Sequence, residues 1–261
     1  MKIAAIESAS LTASVAILED DCLTAEYTVN FKKTHSQTLL PMLAEIAKMV
    51  ELDWDTVDAI AVSAGPGSFT GLRIGSATAK GLGLARKIPL IHVPTIDAMA
   101  CNFYGTDRLI CPMMDAKRGQ VYTGLYHCRE NLEIVKEQCA VDVRELLQEI
   151  NDRGEAVIFL GDGVPVSCKA IEELCRVPYT FAPAGLNRQR AASVARLGAQ
   201  YLAEGRTETA AEHAPDYLRV SQAEREMLSR TGVTLEEAVE QNQKELGKTE
   251  RSDECREMIQ R

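Results

Sequence analysis

SAGPGSFTGLRIGSATAKGLGL, residues Ser63 to Leu84, is the stretch from which the rest of the chain can be read. The residues before it, Val57 to Val62, are apolar and β-branched enough for a buried strand, and those after it hold no breaker other than glycine. The unit therefore reads as strand, glycine loop and helix. Gly65 and Gly67 free the loop backbone from the limits that a Cβ imposes. A helix starting near Thr70 would turn its unpaired N–H groups into the loop, an arrangement that suits an anion. A structural turn fits the loop equally well, because neither the Gly-Lys-Ser/Thr end of a Walker loop nor a G-x-G-x-x-G fingerprint is present. Within the helix Gly71, Gly75, Ala79 and Gly83 fall four apart, which leaves one face nearly bare and open to close approach by another helix or a sheet. Each glycine costs about 1 kcal/mol relative to alanine in a helix, so this register needs a packing reason.

Around this unit the elements fall into two similar runs. Lys2 to Ile6, Ala13 to Leu18 and Ala25 to Phe31 read as a strand meander, followed by a helix from Ser36 whose Leu39, Leu40, Leu43, Ile46, Ala47 and Val50 follow helical spacing. After the glycine helix come a short strand, Leu90 to Val93, and a small helix from Thr95 to about Phe103. The pattern then repeats. Glu7 to Leu18 can be laid against Asp115 to Tyr126: an acid at a strand end, a polar turn, then a strand of small and apolar residues. A strand at Ile134 to Val141, a helix at Arg144 to Ile150, a strand at Ala156 to Leu160 with a Gly161-Asp162-Gly163 turn and a helix at Val166 to Cys175 complete the second run. A helix from Ala191 to Ala203 closes the globule, and Pro215 to Arg219 looks like an extended return to it. From Glu226 on the chain is charged and poor in large apolar groups, with Thr234 and Glu237 placed for a capping box.

Composition narrows the function classes. The 261 residues, 46% apolar, suit one large or two modest globular domains. No apolar run reaches the roughly 18 residues of a membrane helix, and Met1-Lys2 leads straight into a strand rather than a signal peptide. Eight cysteines without a CxxC pair read as scattered thiols of a reducing cytosol. A net charge of −9 argues against a protein that grips nucleic acid by itself. The four histidines, His35, His92, His127 and His213, contain no pair at helical spacing and read singly as surface or packing residues. Ser8, Ser10 and Ser68 lie in turns without a neighbouring histidine, and Ser68 lacks the G-x-S-x-G elbow.

Two runs of meander plus helices with acids at the first turns resemble the actin-like and sugar-kinase-like ATPases. Within that superfamily GPGSFTGLRIG from Gly65, HSQTLLPML from His35, DAKRGQVY from Asp115 and DYLRVSQAERE from Asp216 together resemble the TsaB (YeaZ) family over roughly residues 1 to 226. The resemblance implies an α/β fold of two actin-like, ribonuclease H-like subdomains, each a mixed sheet flanked by helices, at 1–97 and 98–222, with a charged tail at 223–261. The catalytic paralogue of that family, TsaD, binds metal through a His-x-x-x-His pair. The equivalent positions here are Thr95 and Met99, neither of which replaces an imidazole, so no metal is expected.

The implied function is that of a non-catalytic cytoplasmic subunit. It would bind and activate TsaD for threonylcarbamoyladenosine formation in tRNA, with the ATPase TsaE in the complex, tRNA reached only through the complex, and no membrane involved. When alone the chain would form a homodimer. The partner interface expected on this basis comprises Leu39, Leu43, Ile46, Gly71, Arg73, Gly75 and Ala79, so that Gly75→Leu would disrupt pairing. Glu7, where the family more usually has Asp, together with Gly65, Gly67 and Asp115 would be the remnant of a nucleotide cleft. No cofactor of its own is expected, with a nucleotide at the complex interface. The alternative is an actin-like ATPase or small-molecule kinase that uses Gly65, Gly67, Glu7 and Asp115 around a magnesium nucleotide. A metalloprotease is disfavoured for want of a histidine pair.

Overall fold

A computed structural model describes residues 1–218 of the chain. Expectations for the tail, including the Thr234 and Glu237 capping box and the end of the DYLRVSQAERE stretch, lie outside the described residues. Among the described residues no helix is long and apolar enough to cross a membrane.

The first run forms β1 (Lys2–Glu7), β2 (Thr12–Glu19), β3 (Cys22–Asn30), α1 (His35–Met49), β4 (Ala59–Gly65), α2 (Phe69–Arg86), β5 (Leu90–Pro94) and α3 (Thr95–Ala100). The second forms β6 (Thr106–Asp115), β7 (Gln120–Cys128), β8 (Leu132–Asp142), α4 (Val143–Arg153), β9 (Val157–Leu160), α5 (Gly163–Leu174), β10 (Tyr179–Phe181) and α6 (Ala191–Ala203). The two five-stranded sheets have orders β3-β2-β1-β4-β5 and β8-β7-β6-β9-β10, so one maps onto the other strand for strand. In each, the meander is antiparallel and the two later strands run parallel to the first. The repeat seen in the order of sequence elements is thus a repeat of topology. Strand β10, the counterpart of β5, was not expected, because three residues behind Pro178 are too few to show an alternating pattern.

Alternation along each strand sends residues to two opposite cores. Ala4, Ile6, Ile60 and Val62 pack under α1 and α2 with Leu39, Leu43, Ile46 and Ala79. Ile3, Ala5, Ala59 and Ala61 face the other way and meet Ala191, Val194, Ala195 and Leu197 of α6. The last helix of the second run therefore covers the first sheet. The exchange is mutual: Ile96, Met99 and Ala100 of α3 pack with Ile110, Met114, Tyr126, Ile158 and Leu160 of the second sheet. The far face of that sheet, with Leu109, Cys111 and Phe159, is covered by α4 and, through Ile171, by α5. A hydrogen bond from the Tyr126 hydroxyl to Asp97 (2.8 Å) anchors α3 to β7 inside this core. Burial pushes the Asp97 carboxyl up to about 6 against the pull of that bond.

The bare face of α2 has its packing reason within the chain. Gly71, Gly75, Ala79 and Gly83 are buried, and a Cβ on Gly71 would overlap the carbonyl oxygen of Ser8, while one on Gly75 would overlap the Ser8 hydroxyl. The β1–β2 turn fills the groove, fixed by a hydrogen bond from Ser8 Oγ to the Gly71 carbonyl (2.9 Å). This corrects the expected partner surface. Leu39, Leu43, Ile46, Gly71, Gly75 and Ala79 are closed off by the chain's own core, and Arg73 alone of the seven is exposed. Gly75→Leu would therefore act first on this chain's folding. A backbone obstacle cannot rotate away, so Gly71→Ala should lower the unfolding free energy by about 1–3 kcal/mol. Gly81→Ala, in the same helix with nothing within 4 Å of the new methyl, should raise it by up to about 1 kcal/mol. Chemical denaturation of the two variants checks both signs, and equal shifts would refute the packing account.

Candidate functional site

Each run ends its first strand on an acid that closes the turn after it. The Glu7 carboxylate accepts the N–H of Ala9 (2.6 Å), and Asp115 accepts the N–H of Lys117 (2.8 Å). An acid that takes the amide two residues on stabilises a turn without need of a ligand. Glu7 is only 1% exposed. Burial pushes its carboxyl up to about 7, opposed by hydrogen bonds from the Ala9 amide and Ser63 and reinforced by the charge of Asp162. Asp162, in the turn after β9, is also raised by burial and feels both Arg188 and Asp115. It joins the two expected acids as a third that sequence reading had treated only as a turn residue.

The glycine loop is closed by its own chain. Gly65 has φ +126°, a conformation that favours glycine, and its N–H donates to the Thr95 hydroxyl (3.2 Å). A Cβ there would overlap the carbonyl oxygen of Asp216, whose own N–H donates to the Ala64 carbonyl (2.7 Å). At Gly67 a Cβ would overlap the Ala9 carbonyl oxygen, which accepts the Ser68 N–H (2.7 Å). Ser68 caps α2 by accepting the Gly71 N–H (3.3 Å). The amides of Gly65, Ser68 and Gly71 are thus engaged by Thr95, Ala9 and Ser68. A phosphate seated on these three amides would have to displace these bonds.

The returning segment is clamped on the loop. Tyr217 packs against Phe69 with ring centroids 4.7 Å apart, Arg73 lies over the Phe69 ring at 4.1 Å, and its Nε donates to the Tyr217 hydroxyl (3.3 Å). The second run repeats the device. Gly161, at φ +107°, donates its N–H to the Asn187 carbonyl (3.0 Å), and Arg188 donates to the Gly161 carbonyl (3.1 Å).

Thr95 and Met99 are both buried. Met99 lies in the apolar cluster between α3 and the second sheet, and the Thr95 hydroxyl is the acceptor for Gly65. The Ser10 hydroxyl bonds Gln189 (2.9 Å) and the Ser8 hydroxyl bonds the Gly71 carbonyl, so neither hydroxyl is hydrogen-bonded to a histidine. His35 bonds the Ser10 carbonyl (2.7 Å) and His127 pairs with Glu155 (3.1 Å). His92 and His213, 121 positions apart, do meet, ring edge to ring face at 5.9 Å. No local spacing could have announced that pair.

The duplicated sheets, exchanged helices and paired acid turns define the class: a two-sheet α/β protein of the actin-like, sugar-kinase-like plan. A sequence model described as TsaD, tRNA N6-adenosine threonylcarbamoyltransferase, matches residues 26–227. The chain is 33% identical over 228 residues to the tRNA threonylcarbamoyladenosine biosynthesis protein TsaB of Bacillus subtilis, covering 86% of this chain and 96% of that protein. It is 31% identical to the Escherichia coli protein of the same name, covering 84% and 95% of the two. A solved structure of YeaZ from Pseudomonas aeruginosa shares the fold, with a TM-score of 0.69 at 23% identity over 83% of this chain and 99% of that one. The chain belongs to the TsaB (YeaZ) family of tRNA threonylcarbamoyladenosine biosynthesis.

The buried Glu7 carries a pH signature. Its carboxyl holds in the native state a proton that the unfolded chain, at 4.5, releases. This contribution is fully present below about pH 4.5 and is lost as pH rises through about 7. Glu7→Gln mimics the protonated form, so it should match the parent near pH 4.5 and exceed it at pH 8 by on the order of 3 kcal/mol. Parallel stability profiles of the two proteins would contradict the buried, proton-holding Glu7.

Proposed function

We propose that this chain is the non-catalytic subunit of the bacterial threonylcarbamoyl-transfer complex, which binds TsaD and activates it for threonylcarbamoyladenosine formation in tRNA. The observation that carries the reading is the occupied loop: the amides of Gly65, Ser68 and Gly71 are engaged by the chain's own acceptors. The positions matching the metal-binding imidazoles of TsaD support it, since they hold a threonine and a methionine whose side chains serve packing and a backbone bond. In this reading the chain has no cofactor of its own and works in the cytoplasm. A nucleotide is held where the two proteins meet, TsaE acts on the assembled complex, and tRNA is met through the assembly.

The binding surface in this proposal lies on the outward faces of α1 and α2, at Arg73 and one step round each helix from the other residues that the resemblance implied. On α2, Ala77, Gly81 and Leu84 continue from Arg73 as an exposed stripe of mostly small side chains, with Leu84 67% exposed. On α1, Leu40 at 54% exposed stands with Pro41 and Ala44. Small exposed residues at i, i+4 spacing let a partner helix approach closely, and Leu40 and Leu84 supply apolar area for burial. The same surface would serve a second copy of this chain when TsaD is absent.

Light scattering on the full chain mixed with TsaD of the same organism should show a one-to-one complex, and tRNA modification should require both proteins. Ala77→Arg and Leu84→Glu should each weaken the complex about tenfold or more while leaving thermal unfolding of this chain unchanged. Absence of a complex, or threonylcarbamoyl transfer by this chain alone, would overturn the proposal.

A further inference from the structure

His92 on β5 and Glu208 and His213 in the segment after α6 form a cluster that the loop and its acids do not use. The segment is laid along β5 by reciprocal backbone bonds between Leu90 and Glu208, each 2.9 Å. His92 Nε2 is 2.9 Å from Asp216 Oδ2. A carboxylate can only accept, so in the neutral imidazole Nε2 carries the proton and Nδ1 presents a lone pair. That lone pair lies 3.9 Å from Glu208 Oε1, too far for a hydrogen bond. No other hydrogen bond to Nδ1 is formed among the described residues. The same carboxylate oxygen, Glu208 Oε1, bonds His213 Nδ1, and His213 Nε2 is held by the Ser76 hydroxyl (2.9 Å). The nearby Lys80 ammonium donates to the His213 carbonyl (2.9 Å).

Both Nδ1 atoms thus approach the one carboxylate oxygen, and one donor atom from each of the three residues lies within 4.8 Å of the others. Tetrahedral zinc with arms of about 2.0–2.2 Å sets its donor atoms about 3.3 Å apart, so the wide pair must close slightly and the tight pair must open. The distal nitrogen of each imidazole is already fixed, one by Asp216 and one by Ser76, the kind of outer support that orients metal-binding histidines. We propose that His92, Glu208 and His213 bind one divalent cation of the zinc class, with the fourth position left to water. On binding, the proton on His213 Nδ1 moves to Nε2, where it is donated to the Ser76 oxygen, and the freed Nδ1 lone pair takes the metal. The ion ties the segment that covers Gly65 to β5.

The test is titration of the full chain, stripped with chelator, with cobalt(II) as the spectroscopic probe and with zinc in competition. One equivalent should bind with the visible absorption of a four-coordinate site and be displaced by zinc, and binding should raise the melting temperature. His92 and Glu208 are 27% and 24% exposed at their side chains, so His92→Gln and Glu208→Gln leave the core intact. Each should abolish binding. Asp216→Asn should weaken it by about 10–100-fold. His127→Gln should leave it unchanged. Absence of binding, or binding that persists in His92→Gln and Glu208→Gln, would overturn the site.

Discussion

The contact of α2 with the turn between β1 and β2 is the constraint on which the rest of the structure depends. Two helical glycines one turn apart, Gly71 and Gly75, let the backbone and hydroxyl of Ser8 enter the helix face, and the Ser8 hydroxyl locks that approach by bonding the Gly71 carbonyl. With the turn held there, Ala9 lies against Gly67 and takes the Ser68 amide, which fixes both the loop and the start of the helix. The parallel pairing of β1 with β4 brings these two distant segments together, so the fold and the closure of the loop are one event. A side chain in that groove would separate α2 from the sheet and reopen the loop.

Duplication explains the form of the site. Each run has an acid that closes its own first turn and a glycine of positive φ at the end of its second parallel strand, and a later segment covers each glycine turn. Asp216 covers Gly65, and Asn187 with Arg188 covers Gly161. In an actin-like ATPase turns of this kind face a nucleotide. Here the amides of Gly65, Ser68 and Gly161 bond acceptors of their own chain, while α1 and α2 expose Leu40, Ala44, Ala77, Gly81 and Leu84 among the described residues.

Much of the fold was legible in the sequence. The strand, glycine loop and helix unit, the meander before it and its recurrence after Asp115 all came from local periodicity and turn chemistry, which act over a few residues. The side on which the bare helix face would be used was not legible. A four-residue period of small side chains reports that something comes close but not what, and Ser8, which comes close, is placed there by a strand pairing across more than fifty residues. The exchange of α3 and α6 between sheets was hidden for the same reason. Glu7 and Asp115 were readable as strand-end acids. Asp162 was not, because its place beside them depends on β9 pairing with β6. His92 and His213 offered no signal until Glu208 paired with Leu90 on β5.

Calorimetric titration of the isolated full chain with magnesium ATP and with magnesium ADP tests the central claim most directly. If the loop is filled by Ala9, Thr95 and the segment at Asp216, neither nucleotide will give a saturable heat. One-to-one, magnesium-dependent binding by the isolated chain would contradict the account and make the loop a working nucleotide site.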